Sequence, residues 1–167
     1  MVVDRLVEAD PDALSIRRAL SEIETLATER RRFLAGYTYI LVRIARADDE
    51  LNEPETASIE AAVVAAGDLT EQQGAVLVAV ASGTSSLYGT TEDFAITRDF
   101  ARTSSPQERQ RLLRACVAVA LADGAIVGAE NTELYEVGHE LGFRADEIDA
   151  VLAQIDRRED DAAIPPS

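Results

Sequence analysis

The chain of 167 residues has no lysine and no tryptophan, and only one cysteine, one histidine and one methionine. All 16 of its cationic side chains are arginine, set against 31 acidic ones for a formal net charge of −15. A phosphate backbone is repelled by such a chain, because nucleic-acid affinity rests on Lys and Arg displacing counterions. Binding of DNA or RNA is therefore not expected. The total use of arginine fits either a GC-rich genome or adaptation to salt. Without lysine, Gly83-Thr84-Ser85-Ser86 cannot be a phosphate-binding P-loop. A lone Cys116 excludes an internal disulfide and a cysteine-based zinc cluster, and its apolar flanks in Leu-Leu-Arg-Ala-Cys-Val-Ala-Val-Ala suit a buried thiol.

Long apolar runs are missing as well. The longest uncharged stretch, from Gln72 to Thr91, is broken by Ser-Gly-Thr-Ser-Ser and falls short of the ~20 apolar residues that span a bilayer. Asp4, Glu8, Asp10 and Asp12 leave no apolar core for a secretory signal, so a soluble cytoplasmic protein is expected, with no membrane insertion. Glycine (9) and proline (5) are too few for a disordered or fibrous chain. Aromatic residues make up only 5%, too few for an obvious sugar platform beside a carboxylate pair. The single histidine, His139, lies within an expected helix and has no Ser or Cys motif beside it, so no catalytic residue is assigned and an enzyme is not expected.

Helix punctuation is dense. Asp10-Pro11 opens a helix over about 12–29, and a second runs from Phe33 to Ala47, with Arg30, Arg31 and Arg32 marking either a break before it, which is the preferred reading, or a solvated turn of one long helix. Asn52-Glu53-Pro54-Glu55, Thr70-Glu71-Gln72-Gln73 and Ser105-Pro106-Gln107-Glu108 each place a capping residue three positions before Glu or Gln. Helices from about Glu53 to Ala66, closed by Gly67, through Ala75–Ala81, about Thr91–Ala101, Glu108–Ala122, Ala129–Leu141 and Asp146–Ile155 complete the set, with Gly83–Gly89 as a connection. The reading is an all-α domain of about eight helices over 1–156, with 157–167 as a flexible tail.

The chain also repeats itself. A shift of 75 residues matches Val42, Ala45, Ala47, Asp48, Glu55 and Gly67 with Val117, Ala120, Ala122, Asp123, Glu130 and Gly142, and then Ala75-Val76-Leu77 with Ala150-Val151-Leu152, without a gap. Repeat 1 covers about 33–82 and repeat 2 about 108–156. Duplicated units of this kind bury in each other the apolar face that neither can bury alone, so two interlocked bundles related by a pseudo-twofold are expected.

Each copy carries Ala-Asp followed seven residues later by Glu: Ala47-Asp48-Asp49-Glu50-Leu51 leading to Glu55, and Ala122-Asp123-Gly124-Ala125-Ile126 leading to Glu130. These loops resemble the signature of the tellurite-resistance TerB-like family, whose helical domain also occurs in some J-domain co-chaperones. The resemblance covers about 30–155 and implies an all-helical fold and an acidic cluster that holds a metal ion; it implies no reaction. Two readings of the loops stand side by side. In one, each Asp forms an Asx-type turn while Glu55 and Glu130, near the third position of the next helix, cap it. In the other, Asp48, Glu55, Asp123 and Glu130 converge as oxygen ligands for Ca²⁺ or Mg²⁺, with Asp49 and Glu50 as weaker contributors. The spacing is too sparse for an EF-hand. A protein partner is the competing functional class, docked on an acidic face or on an exposed patch drawn from Tyr37, Tyr39, Leu87, Tyr88 and Phe94, although core packing is the preferred reading for most of these residues.

Overall fold

The computed structural model describes residues 11–48, 51–85, 87, 89–122, 124, 126 and 128–162, excluding the side chains of 11, 12, 48, 90 and 159–161. Among these residues there are eight α-helices and no strand: α1 Pro11–Glu24, α2 Thr28–Ala45, α3 Glu53–Gly67, α4 Glu71–Ser85, α5 Thr90–Thr103, α6 Pro106–Ala120, α7 Ala129–Glu140 and α8 Ala145–Ala162. A 3-10 turn, Arg46–Asp48, extends α2.

Local chemistry sets most of these boundaries. Asn52 Oδ1 accepts from the Glu55 N–H (2.9 Å) and Glu55 returns its carboxylate to the Asn52 N–H (3.1 Å), with Pro54 in the first turn of α3. Ser105 and Glu108 build the same reciprocal cap ahead of α6, and Thr70 and Gln73 ahead of α4. Each box satisfies two amide donors that the first helical turn leaves without partners.

Three boundaries differ from those read in the sequence. The break near the arginine triplet falls at 25–27, after α1 ends at Glu24, and the Thr25 hydroxyl there donates to Glu22 O (2.6 Å). Arg30, Arg31 and Arg32 then belong to the start of α2, where Arg30 reaches Gly67 O and Arg32 reaches Asp99. Gly83 and Thr84, expected in a connection, continue α4, and the Thr84 hydroxyl bonds back to Val80 O (2.9 Å). Finally, α8 runs on to Ala162, so the segment expected as a tail from 157 is helical that far, with Arg157 Nε donating to Ala153 O (3.0 Å). Residues 163–167 lie outside the described residues.

Helix α2 is the axis of the molecule. Every residue from Tyr37 to Ala45 is buried, as expected of a helix surrounded on all sides. It packs on α3, α4, α5, α6 and α7. Contacts within the two halves correspond: α2 meets α3 and α4 as α6 meets α7 and α8, and α3 meets α4 as α7 meets α8. Across the halves α2 packs on α6, while α3 lies on α6 and α7 on α2. Leu34, Ile40, Leu41, Ile44, Ile59, Leu112, Leu113, Leu134 and Ile148 form the fully buried centre.

The helix ends that carry the matched glycines are built differently. In the second copy Gly142 takes the left-handed conformation (φ +96°) and the Phe143 N–H reaches Gly138 O (2.9 Å). In the first copy Asp68 takes it (φ 50°), while Gly67 is the last helical residue, pressed against Leu34 and Leu69. The same closing bond, from the Leu69 N–H to Val64 O, forms one position later.

Candidate functional site

Burial marks the two glutamates of the repeated loops. Glu55 is 0% exposed and Glu130 is 4% exposed, and they belong to the five buried polar or charged residues of the described chain, together with Thr38, Arg43 and Thr97. Taking a carboxylate out of water is costly unless hydrogen bonds or a cation compensate it. In the first copy part of that compensation is visible, since Glu55 Oε2 holds the Asn52 N–H. In the second copy the arrangement differs from the expectation of a third-position cap. Helix α7 opens on Gly128 (φ 59°), which has no side chain to complete a box, and Glu130 occupies the second helical position. The turn Arg46–Asp48 packs on α7, the helix that carries Glu130.

Asp48 closes the 3-10 turn, but its side chain lies outside the described residues, as do Asp49, Glu50 and Asp123. Among the described residues no group of three or more His, Cys, Asp or Glu side chains is placed to hold a metal ion.

A second charged cluster escaped the sequence reading. Arg43, whose side chain is 7% exposed, points from α2 into a nest of acceptors. Its guanidinium bonds Glu133, Glu140 (2.7 Å), the Thr97 hydroxyl (3.0 Å) and Asp93 O, with Glu136 at 3.8 Å. Burial, ahead of the attraction of Arg43, holds the Glu133 carboxyl above its ordinary range. The signal was present as an arginine inside the apolar run Tyr37–Ala45 and as Glu133, Glu136 and Glu140 spaced along one helix face. This cluster joins α2, α5 and α7, and its acids are engaged by the arginine.

The remaining candidate residues sort by exposure. Tyr37 (3%) and Tyr39 (4%) pack in the core, as preferred for most of the aromatic candidates, whereas Leu87 (83%) and Phe94 (51%) are exposed. Tyr88 lies outside the described residues. Cys116 is fully buried and burial pushes its thiol up to about 12, which suits an unreactive packing residue. His139 is exposed, with Nδ1 3.0 Å from Phe143 O and its ring against Tyr135.

Contacts within the two halves of the helical scaffold correspond, and Glu55 and Glu130, one after each acidic loop, are both buried. The family model described as "Tellurite resistance protein TerB" matches residues 34–153. The chain belongs to the TerB family. No curated protein and no solved structure matches it. Among the described residues, no helix is long and apolar enough to cross a membrane.

Proposed function

We propose that this TerB-family chain is a non-enzymatic cytoplasmic protein of a metal- or oxyanion-stress system. In this reading it holds one hard divalent cation, Ca²⁺ or Mg²⁺, through Asp48, Glu55, Asp123 and Glu130, with Asp49 and Glu50 contributing less. The observation that supports this is the burial of Glu55 and Glu130 at matched positions of the two copies. Oxygen donors held out of water suit hard cations, and the ion would supply the positive charge that offsets carboxylate repulsion. The match to a tellurite-resistance family supports the stress context.

The test is thermal melting with and without cations. At a free concentration of about 100 times Kd, a cation bound only by the folded state adds about 2.7 kcal/mol. For a domain of this size that raises Tm by about 5–11 °C. Asp48→Ala and Asp123→Ala are each expected to remove the rise. Melting unchanged by Ca²⁺, Mg²⁺, Mn²⁺ and Zn²⁺ would sink the proposal. That result would favour the second reading, a docking module whose acidic loops serve only as caps, for which the exposure of Leu87 and Phe94 is the supporting observation.

A further inference from the structure

Helices α4 and α5 follow one another in the chain and both lie on α2, and between them is a half-open cavity of about 440 Å³. Small-molecule sites commonly run from about 300 to 1,000 Å³. The floor is α2, with the small residues Ala35 and Gly36, and the walls include Leu77 and Val80 of α4 and Ile96 and Phe100 of α5.

The polar groups in this lining are committed elsewhere. Thr38, Thr84 and Thr103 each donate to a carbonyl one turn back in their own helix, at Leu34, Val80 and Asp99. The Tyr39 hydroxyl donates to Asp93. No hydroxyl hydrogen is left for a ligand, so the interior recognises hydrocarbon.

One end of the cavity has Arg32 and Asp99 in its lining, and Arg102 lies just outside it, reaching Asp99 from the neighbouring surface. Arg32 binds Asp99 through Nε (3.2 Å) and Nη2 (2.8 Å), and Arg102 binds the same carboxylate (2.7 Å). Two guanidiniums on one acid leave a net positive charge on a chain whose overall charge is −15. Both side chains are largely exposed, 62% for Arg32 and 77% for Arg102, and so keep donors turned to water. The N–H groups of each guanidinium that are not spent on Asp99 can donate to a second carboxylate.

We propose that this cavity binds a single-chain aliphatic carboxylate, with its tail between α4 and α5 and its head on Arg32 at the rim, where Arg102 adds positive charge from outside the lining. The floor from Arg32 to Tyr39 is about 10 Å long at 1.5 Å per residue, which sets the tail to medium length. The site is separate from the acidic loops, and its success or failure does not depend on theirs.

The experiment titrates the full chain with sodium decanoate and, as a probe of opposite charge, decyltrimethylammonium, following amide shifts and heats. Decanoate is expected to saturate at one equivalent, moving amides of α2, α4 and α5 around the cavity, and the ammonium to bind at least about tenfold more weakly. Ala35→Trp and Ala95→Phe, both at exposed lining positions, are expected to fill the space and abolish binding while the melting temperature is kept. Arg102→Glu should weaken decanoate by about tenfold and narrow the preference over the ammonium. Absence of saturation, equal binding of the two probes, or binding untouched by both filling variants would overturn the proposal. So would a dimer that Ala35→Trp dissociates, since the cavity would then belong to a second copy of the chain.

Discussion

Arg43→Ala is expected to lower stability by about 3–5 kcal/mol, the cost of removing one partner from a buried ion cluster. For a domain of this size that corresponds to a fall in Tm of about 6–20 °C. The loss comes less from the arginine's own packing than from what remains. Glu133 and Glu140, 22% and 13% exposed, would face each other without a cation, and the Thr97 hydroxyl would lose a donor. The pH dependence has a definite sign. Glu133 is already held above its ordinary range by burial, and loss of Arg43 moves it further up. A carboxyl with a folded pKa above its unfolded value favours the fold below the unfolded value, near 4.3, and that contribution is lost as pH rises through the folded pKa. The deficit of Arg43→Ala should therefore narrow as pH falls toward the carboxylate range, and chemical denaturation at pH 7 and pH 4.5 checks both points. A deficit below 1 kcal/mol at pH 7 would mean that the cluster is not holding α2, α5 and α7 together.

Gly138→Ala is the second large effect, and its sign opposes helix propensity. A Cβ at Gly138 would lie 2.4 Å from Ile148 Cδ1 and 2.9 Å from Cγ1, and Ile148 is fully buried. Overpacking of this kind costs about 1–3 kcal/mol, more than the ~1 kcal/mol that Ala gains over Gly in a helix. Gly83→Ala is the matched control. Gly83 is exposed in α4 with nothing within 4 Å of its would-be Cβ, so the same substitution there is expected to stabilise by about 0.5–1 kcal/mol. Urea denaturation of the two variants should give opposite shifts. Equal gains would mean that α7 and α8 do not pack as closely as the Gly138–Ile148 approach requires.

Features that depend on neighbouring residues were legible in the sequence. The Asn52–Glu55, Thr70–Gln73 and Ser105–Glu108 caps are closed by groups three positions apart, so their residue types announce them. Cys116 among apolar neighbours is buried as its context suggested. Features that depend on distant partners were not legible. Arg43 meets Glu133 and Glu140 across ninety or more residues, and the run around it reads simply as apolar helix. The break after α1 falls at 25–27, where the Thr25 hydroxyl bonds to Glu22 O. Threonine hydroxyls bond back in this way inside helices too, as Thr84 does in α4, so the residue type does not announce it. Gly67 and Gly142, matched in sequence, serve different ends because α3 runs one residue further before its left-handed turn. The candidate site divides in the same way. Glu55 caps as its spacing implied, whereas Glu130 sits one position earlier behind a glycine, a difference invisible in the shared seven-residue interval.

Cation binding by the duplicated loops is tested most directly by anomalous scattering from crystals grown with Mn²⁺, which takes the oxygen ligands that Mg²⁺ takes. A single manganese peak bounded by carboxylates of Asp48, Glu55, Asp123 and Glu130 is the expected result. Ordered loops with no peak between them, or manganese only at acids elsewhere on the surface, would contradict it.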